Sequence, residues 1–166
     1  MKETIGKLYL KELESEAPAT KACLERVPLE KLYDWKPHEK SMKMGDLAVM
    51  IAEIPRWITT MIEKGDIDFG TFSHNKVRTK AELVSTFEKN MADAKKALSK
   101  VSDEELEKPF SLKNKGVVLF TSPKDGNISG SINHLVHHRG QLTVYMRLNN
   151  IPVPKIYGPS ADEKGF

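Results

Sequence analysis

Three of the chain's five histidines fall within five positions, in the run Asn133-His134-Leu135-Val136-His137-His138-Arg139-Gly140-Gln141. If that run is helical, stepping 100° per residue from Ile128 puts Leu135, Leu142 and Met146 within about 40° of one line, the stripe expected to face a core. His134 and His138 then lie at about 240° and 280°, one turn apart on a common face, with Gln141 and Tyr145 near the same line. His137, at about 180°, points away from both. Two imidazoles at i and i+4 bring their Cβ atoms within ~5–6 Å and can offer nitrogens to one divalent ion. The spacing alone leaves a second reading open, in which the rings only share a polar strip. His137, His38 beside Pro37, and His74 in a loop read as surface groups.

Other chemistries have less to stand on. The glycines at 116, 126, 130 and 140 are too dispersed for a phosphate-cradling loop, and no serine sits in a G-x-S-x-G elbow. Cys23, with Ala19, Thr20, Arg26 and Val27 as helical neighbours, reads as a packed thiol rather than a nucleophile. As the only cysteine it excludes an intramolecular disulfide and fits a reducing compartment.

Four helical stretches must position the histidines. The first runs from about Lys2 to Leu24, with Ile5, Leu8, Tyr9, Leu13 and Ala17 spaced by three and four and Pro18 as a candidate kink. A turn-rich segment around Pro28, Tyr33, Trp35 and Pro37 follows. The second helix is expected from Met44 to Glu63, closing before Gly65 and burying Leu47, Ile51, Ile54 and Ile58. Asp66 to Lys76 reads as a loop. Thr79 and Glu82 form a capping box opening the third helix, whose stripe of Leu83, Phe87, Met91, Ala94 and Leu98 ends near Val101. Ser102 caps a short acidic turn, and Val117-Val118-Leu119-Phe120 is a lone β-like run that predicts a loop or at most a hairpin. The fourth helix spans about Gly126 to Asn149, and the proline-rich stretch Ile151 to Pro159 should lie extended across the bundle. The expected fold class is therefore all-α.

With 166 residues, 39% apolar and 30% charged, the chain has the size of one domain, able to bury about two-thirds of its unfolded surface. Lys and Arg number 26 against 23 Asp and Glu, a net charge of +3 dispersed over both signs. That is far from the basic stripe of a nucleic-acid binder. No apolar run approaches ~18 residues and the amino terminus carries no signal-like segment, so neither a membrane span nor a leader is expected and the cytoplasm is the expected location.

The run His134 to Leu142, followed by Ile151-Pro-Val-Pro-Lys-Ile-Tyr-Gly-Pro-Ser-Ala-Asp162, resembles the carboxy-terminal signature of the DinB/YfiT-like family. Trp35 to Ala48 and Ile51-Ala-Glu-Ile-Pro-Arg-Trp57 resemble the same family's approach to its second helix, so the likeness covers nearly the whole chain. The resemblance implies a four-helix bundle in down-up-up-down order, pairing as a homodimer, and a divalent metal such as Zn²⁺ or Ni²⁺ held by three histidines. Two of the three land on His134 and His138. The third comes from the second helix, where this chain reads Leu47-Ala-Val-Met-Ile-Ala52 and places Met50 at the ligand position. A thioether is a poor ligand for either ion, so weak or absent metal binding is expected unless Asp46 or Glu53, one turn from Met50, supplies an oxygen.

Two function classes follow from the resemblance. In the first, the protein is a metal-dependent thiol transferase or hydrolase acting on a small electrophile, with Glu53 or Asp46 as ligand or base and Gln141 and Tyr145 orienting substrate. In the second, it is a non-catalytic bundle that binds a small molecule or dimerises, having lost tight metal binding.

Overall fold

A computed structural model describes residues 3–165. Helix α1 spans Ile5–Arg26, capped by the Thr4 hydroxyl on the Lys7 amide; the expected start at Lys2 lies outside the described residues. A single turn, α2 (Leu29–Leu32), leads to α3 (Met44–Lys64), which Gly65 ends in the left-handed conformation at φ 75°, donating its N–H to Met61. Strand β1 (Asp66–Asp68) follows, then α4 (Lys80–Lys100), opened by the Thr79–Glu82 capping box. The short α5 (Asp103–Glu107) precedes strands β2 (Pro109–Asn114) and β3 (Val117–Pro123), and α6 (Lys124–Leu148) completes the set.

Helix α3 packs against α4 and α6, and α1 packs against the same two. The shared core holds Leu13, Leu24, Leu47, Ile51, Ile54, Ile58, Leu83, Phe87, Leu98, Ile128, Leu135, Leu142 and Met146, all at most 2% exposed. Its two ends are tied by different contacts. At one, Tyr33 and Trp35 carbonyls accept from the first amides of α3, Arg78 stacks on the Tyr33 ring at 3.9 Å, and the Glu30 carboxylate accepts from the first amide of α4. At the other, the Ile5 amide donates to Asp103, and the buried Lys124 ammonium donates to the Ile62 carbonyl and the Glu105 carboxylate.

The expected core position Leu8 is 51% exposed. The buried line of α1 is instead Gly6, Leu13, Thr20 and Leu24, with Leu8 about 200° from Gly6. Gly6 lets α1 approach closely: a Cβ there would sit 2.7 Å from Val101 Cγ1 and 2.8 Å from the Leu98 carbonyl.

The all-α expectation also needs correction, because the mostly helical chain carries a three-stranded sheet in the order β1-β2-β3. The β-like run at Val117 does pair as a hairpin, β2 antiparallel to β3, across a tight turn in which Lys115 and Gly116 both adopt positive φ. Strand β1 then adds in parallel, Ile67 opposite Leu112, within the stretch expected to be a loop. The Asp68 carboxylate fastens that edge by accepting the amides of Gly70, Lys115 and Gly116, and these bonds hold it below the usual carboxylate range. Ile67 and Phe110 turn inward and join the core cluster.

After α6 the chain is extended from Ile151, as its prolines require. Arg139, 1% exposed, fixes this tail by bridging the Glu16 carboxylate at 2.6 Å and the Tyr157 hydroxyl at 2.8 Å. Among the described residues no helix is long and apolar enough to cross a membrane.

Candidate functional site

The site is laid out along α6. Because Ile128, Leu135, Leu142 and Met146 hold one side of the helix in the core, His134 and His138 emerge together on another. Their Nε2 atoms lie 2.6 Å apart, so both rings converge on one point. His138 Nδ1 lies 2.9 Å from the Gln141 side-chain oxygen, which can only accept, so Nδ1 carries the proton and His138 Nε2 is left with a lone pair. The proton shared between the rings therefore belongs to His134 Nε2. Partial burial lowers the His134 pKa first, and the neighbouring His138 and His137 rings lower it further. Both effects favour the neutral form of the ring.

The pair and Gln141 are thus brought together, while the other candidates are held elsewhere. Tyr145 is buried, with its hydroxyl donating to the Met42 carbonyl at 3.2 Å and its ring meeting Trp35 edge-on. Asp46 accepts from the Tyr33 hydroxyl at 2.9 Å. Glu53, whose side chain is 1% exposed, accepts from His74 Nδ1 at 2.7 Å and from the Asn75 amide. Met50 is half-buried and borders a hollow with Asp46, Glu53 and His74.

These contacts decide how well the residues present fit a divalent ion. Two imidazoles suit Zn²⁺ or Ni²⁺, and a hydrogen bond from the far nitrogen of His138 is the support a ligating ring commonly receives. A third donor is missing. Glu53 has both oxygens engaged by His74 and Asn75, Asp46 holds the Tyr33 hydroxyl through one of its oxygens, and among the described residues no three His, Cys, Asp or Glu side chains gather into a metal-holding group. The arrangement does not fit a three-ligand centre.

Beside His134 opens a cleft of about 310 Å³ between α3, the sheet and the first half of α6. Trp57 and Met61 form one wall, Phe69 and Phe72 a second, Phe110 and Phe120 a third. Gly126, Gly130 and His134 succeed one another at every fourth residue along its α6 side, and His74 stands at its rim. Trp57 meets the His134 ring edge-on at 5.4 Å, and Phe72 meets His74 at the same distance. The histidine pair therefore lies at the border of an aromatic cleft. Sequence reasoning missed this cleft, because its walls come from four separate segments. The ladder Gly126, Gly130, His134, His138 was the available signal: side-chain-free positions leading up to the imidazoles on one helix face.

Comparison with known proteins bears on the whole chain. A family model described as DinB family matches residues 1–164. Two crystal structures of DinB-like proteins share the fold. One, from Bacillus subtilis, has a TM-score of 0.70 at 18% identity over 95% of this chain and 99% of that one; the other, from Bacillus cereus, has 0.69 at 23% over 95% and 100%. A 32-residue segment is 56% identical to the "Uncharacterized protein YrdA" of Bacillus subtilis, spanning 19% of that protein's length.

Proposed function

The chain belongs to the DinB family, and from that premise we propose that it binds a small, largely apolar molecule in the cleft beside His134. The cleft itself carries this reading: about 310 Å³ walled by aromatic and aliphatic side chains, with no Asp, Glu, Lys or Arg lining it. Ligand pockets have this make-up, with a few polar groups that orient what they hold. His134 and His138 in this reading bind Zn²⁺ or Ni²⁺ far more weakly than a three-histidine centre. The test is calorimetric titration with a panel of small apolar compounds beside elemental analysis of untagged protein. Saturable binding lost on filling the cleft, with far less than one equivalent of metal, is expected; no binding by any compound contradicts the reading.

A second reading keeps the enzyme: transfer of a thiol to a small electrophile, or a hydrolysis, assisted by a divalent ion, with Gln141, the candidate held beside the pair, orienting substrate. The convergent Nε2 atoms and the Gln141 contact favour it. Turnover of a low-molecular-weight thiol with an electrophilic aromatic chloride, dependent on both added Zn²⁺ and His134, would select this reading over the first.

We further infer a down-up-up-down helix order, supported by the meeting of the end of α1 with the starts of α3 and α4 at the Tyr33 end of the core. A homodimer is proposed as well, supported by the uncharged, exposed row Val117 to Phe120 on the edge strand β3. Light scattering at micromolar concentration giving a mass near 18.7 kDa would contradict it. Location in the cytoplasm, with neither nucleic acid nor membrane as partner, completes the proposal.

A further inference from the structure

We propose that the cleft selects a neutral, planar, bicyclic aromatic molecule bearing one hydroxyl or N–H donor; this rests on the cleft being the binding site and names its ligand class. Size comes first. A dry apolar cavity of roughly 150 Å³ accommodates benzene, so about 310 Å³ has room for two fused rings.

Planarity follows from the walls. Trp57, Phe72, Phe110 and Phe120 present rings that pair with another ring by stacking or edge contact. The α6 side is built to admit a flat face, because a Cβ added at Gly126 or at Gly130 would meet no heavy atom within 4 Å. Both positions are open where any longer side chain would project.

The donor requirement comes from hydrogen-bond accounting at the rim. His74 Nδ1 is committed to the Glu53 carboxylate as a donor, so in the neutral ring Nε2 is an acceptor. Asn127 spends its amide N–H groups on the Ser122 hydroxyl and the Pro123 carbonyl, leaving the amide oxygen. His134 donates from Nε2 to His138, leaving Nδ1 as a third acceptor. These groups have no other protein partner among the described residues, and all three accept. A ligand with an O–H or N–H satisfies one of them, whereas a carboxylate offers only further acceptors and no lining cation to meet it. The Arg56 guanidinium lies over the Phe72 ring at 4.6 Å, and its charge opposes a cationic ligand.

The experiment is isothermal titration calorimetry of the full chain in the presence of a chelator, with four naphthalene-sized probes and tetramethylammonium. The expected result is that 2-naphthol binds at least tenfold tighter than 2-methoxynaphthalene, which lacks the donor, and than decahydro-2-naphthol, which lacks planarity. No heat should be seen with 2-naphthoate or tetramethylammonium. Gly130→Leu should abolish 2-naphthol binding with a melting temperature no lower than that of the wild type, since the position is open and a helix interior favours leucine over glycine. Binding of the probes without regard to planarity or donor, tetramethylammonium binding in their place, or full 2-naphthol affinity in Gly130→Leu would overturn the ligand class while leaving the cleft as a binding site. Failure of every probe to bind would overturn the cleft reading along with it.

Discussion

Glu53→Gln distinguishes a carboxylate that holds a loop from one that serves the histidine pair. The side chain is 1% exposed, and both of its oxygens accept from one short segment, His74 Nδ1 and the Asn75 amide. Hydrogen bonds to a charged group contribute ~1.5–3 kcal/mol and neutral ones ~0.5–1.5, so converting both to neutral bonds costs about 2 kcal/mol. The glutamine can still make both. Its oxygen accepts from Asn75, and its amide donates to His74 once that ring moves its proton to Nε2. His74 is 68% exposed, so the loss falls on residues 69–78 and leaves the Ile54 core intact. Hydrogen exchange at the Asn75 amide should quicken by about 30-fold, the equivalent of ~2 kcal/mol, with a far smaller change in the urea midpoint. Unchanged exchange at Asn75 together with a tenfold loss of Zn²⁺ affinity would refute the argument and make Glu53 a ligand.

Three further outcomes follow from the packing. Ile54, fully buried, should cost ~2–5 kcal/mol when cut to alanine, read from urea unfolding; a change below ~0.5 kcal/mol would remove it from the core. Arg139→Met breaks a pair whose side chains are 1% and 12% exposed, and should cost ~3–5 kcal/mol while raising proteolytic sensitivity of the tail after Ile151. Hydrogen bonds from Lys108 and Lys124 hold the Glu105 carboxyl down at about 2 in the fold. Its stabilisation is therefore present above its unfolded value near 4.5 and is lost as pH falls from there toward 2. Glu105→Gln should flatten the stability profile over that interval, and an unaltered profile would count against the pair.

The helices were legible where local chemistry marks them. The Thr79–Glu82 box and Gly65 carry their own start and stop, and both ends fall where the residues say. Helix α1 was less so, since Gly6 and Thr20 occupy its buried line and do not read as apolar, while Leu8 does and faces solvent. Strand β1 was hidden because Asp66-Ile67-Asp68 is too short to show alternation and gains its pairing only from a hairpin over forty residues later. At the site, the angular argument places His134, His138 and Gln141 together, since periodicity fixes directions along one helix. It cannot assign partners across elements. The engagement of Asp46 by Tyr33, of Glu53 by His74 and of Tyr145 by Met42 depends on tertiary contacts between segments 13 to 103 residues apart.

The histidine pair lacks a third donor among the described residues, and a Zn²⁺ titration of the wild type beside Met50→His addresses that directly. Adding an imidazole at Met50 should tighten binding at least tenfold, about 1.4 kcal/mol, and the gain should vanish in a His134→Ala background where only two donors again remain. Stoichiometric, tightly held metal in the wild type, or a folded Met50→His protein with unchanged affinity, would contradict it.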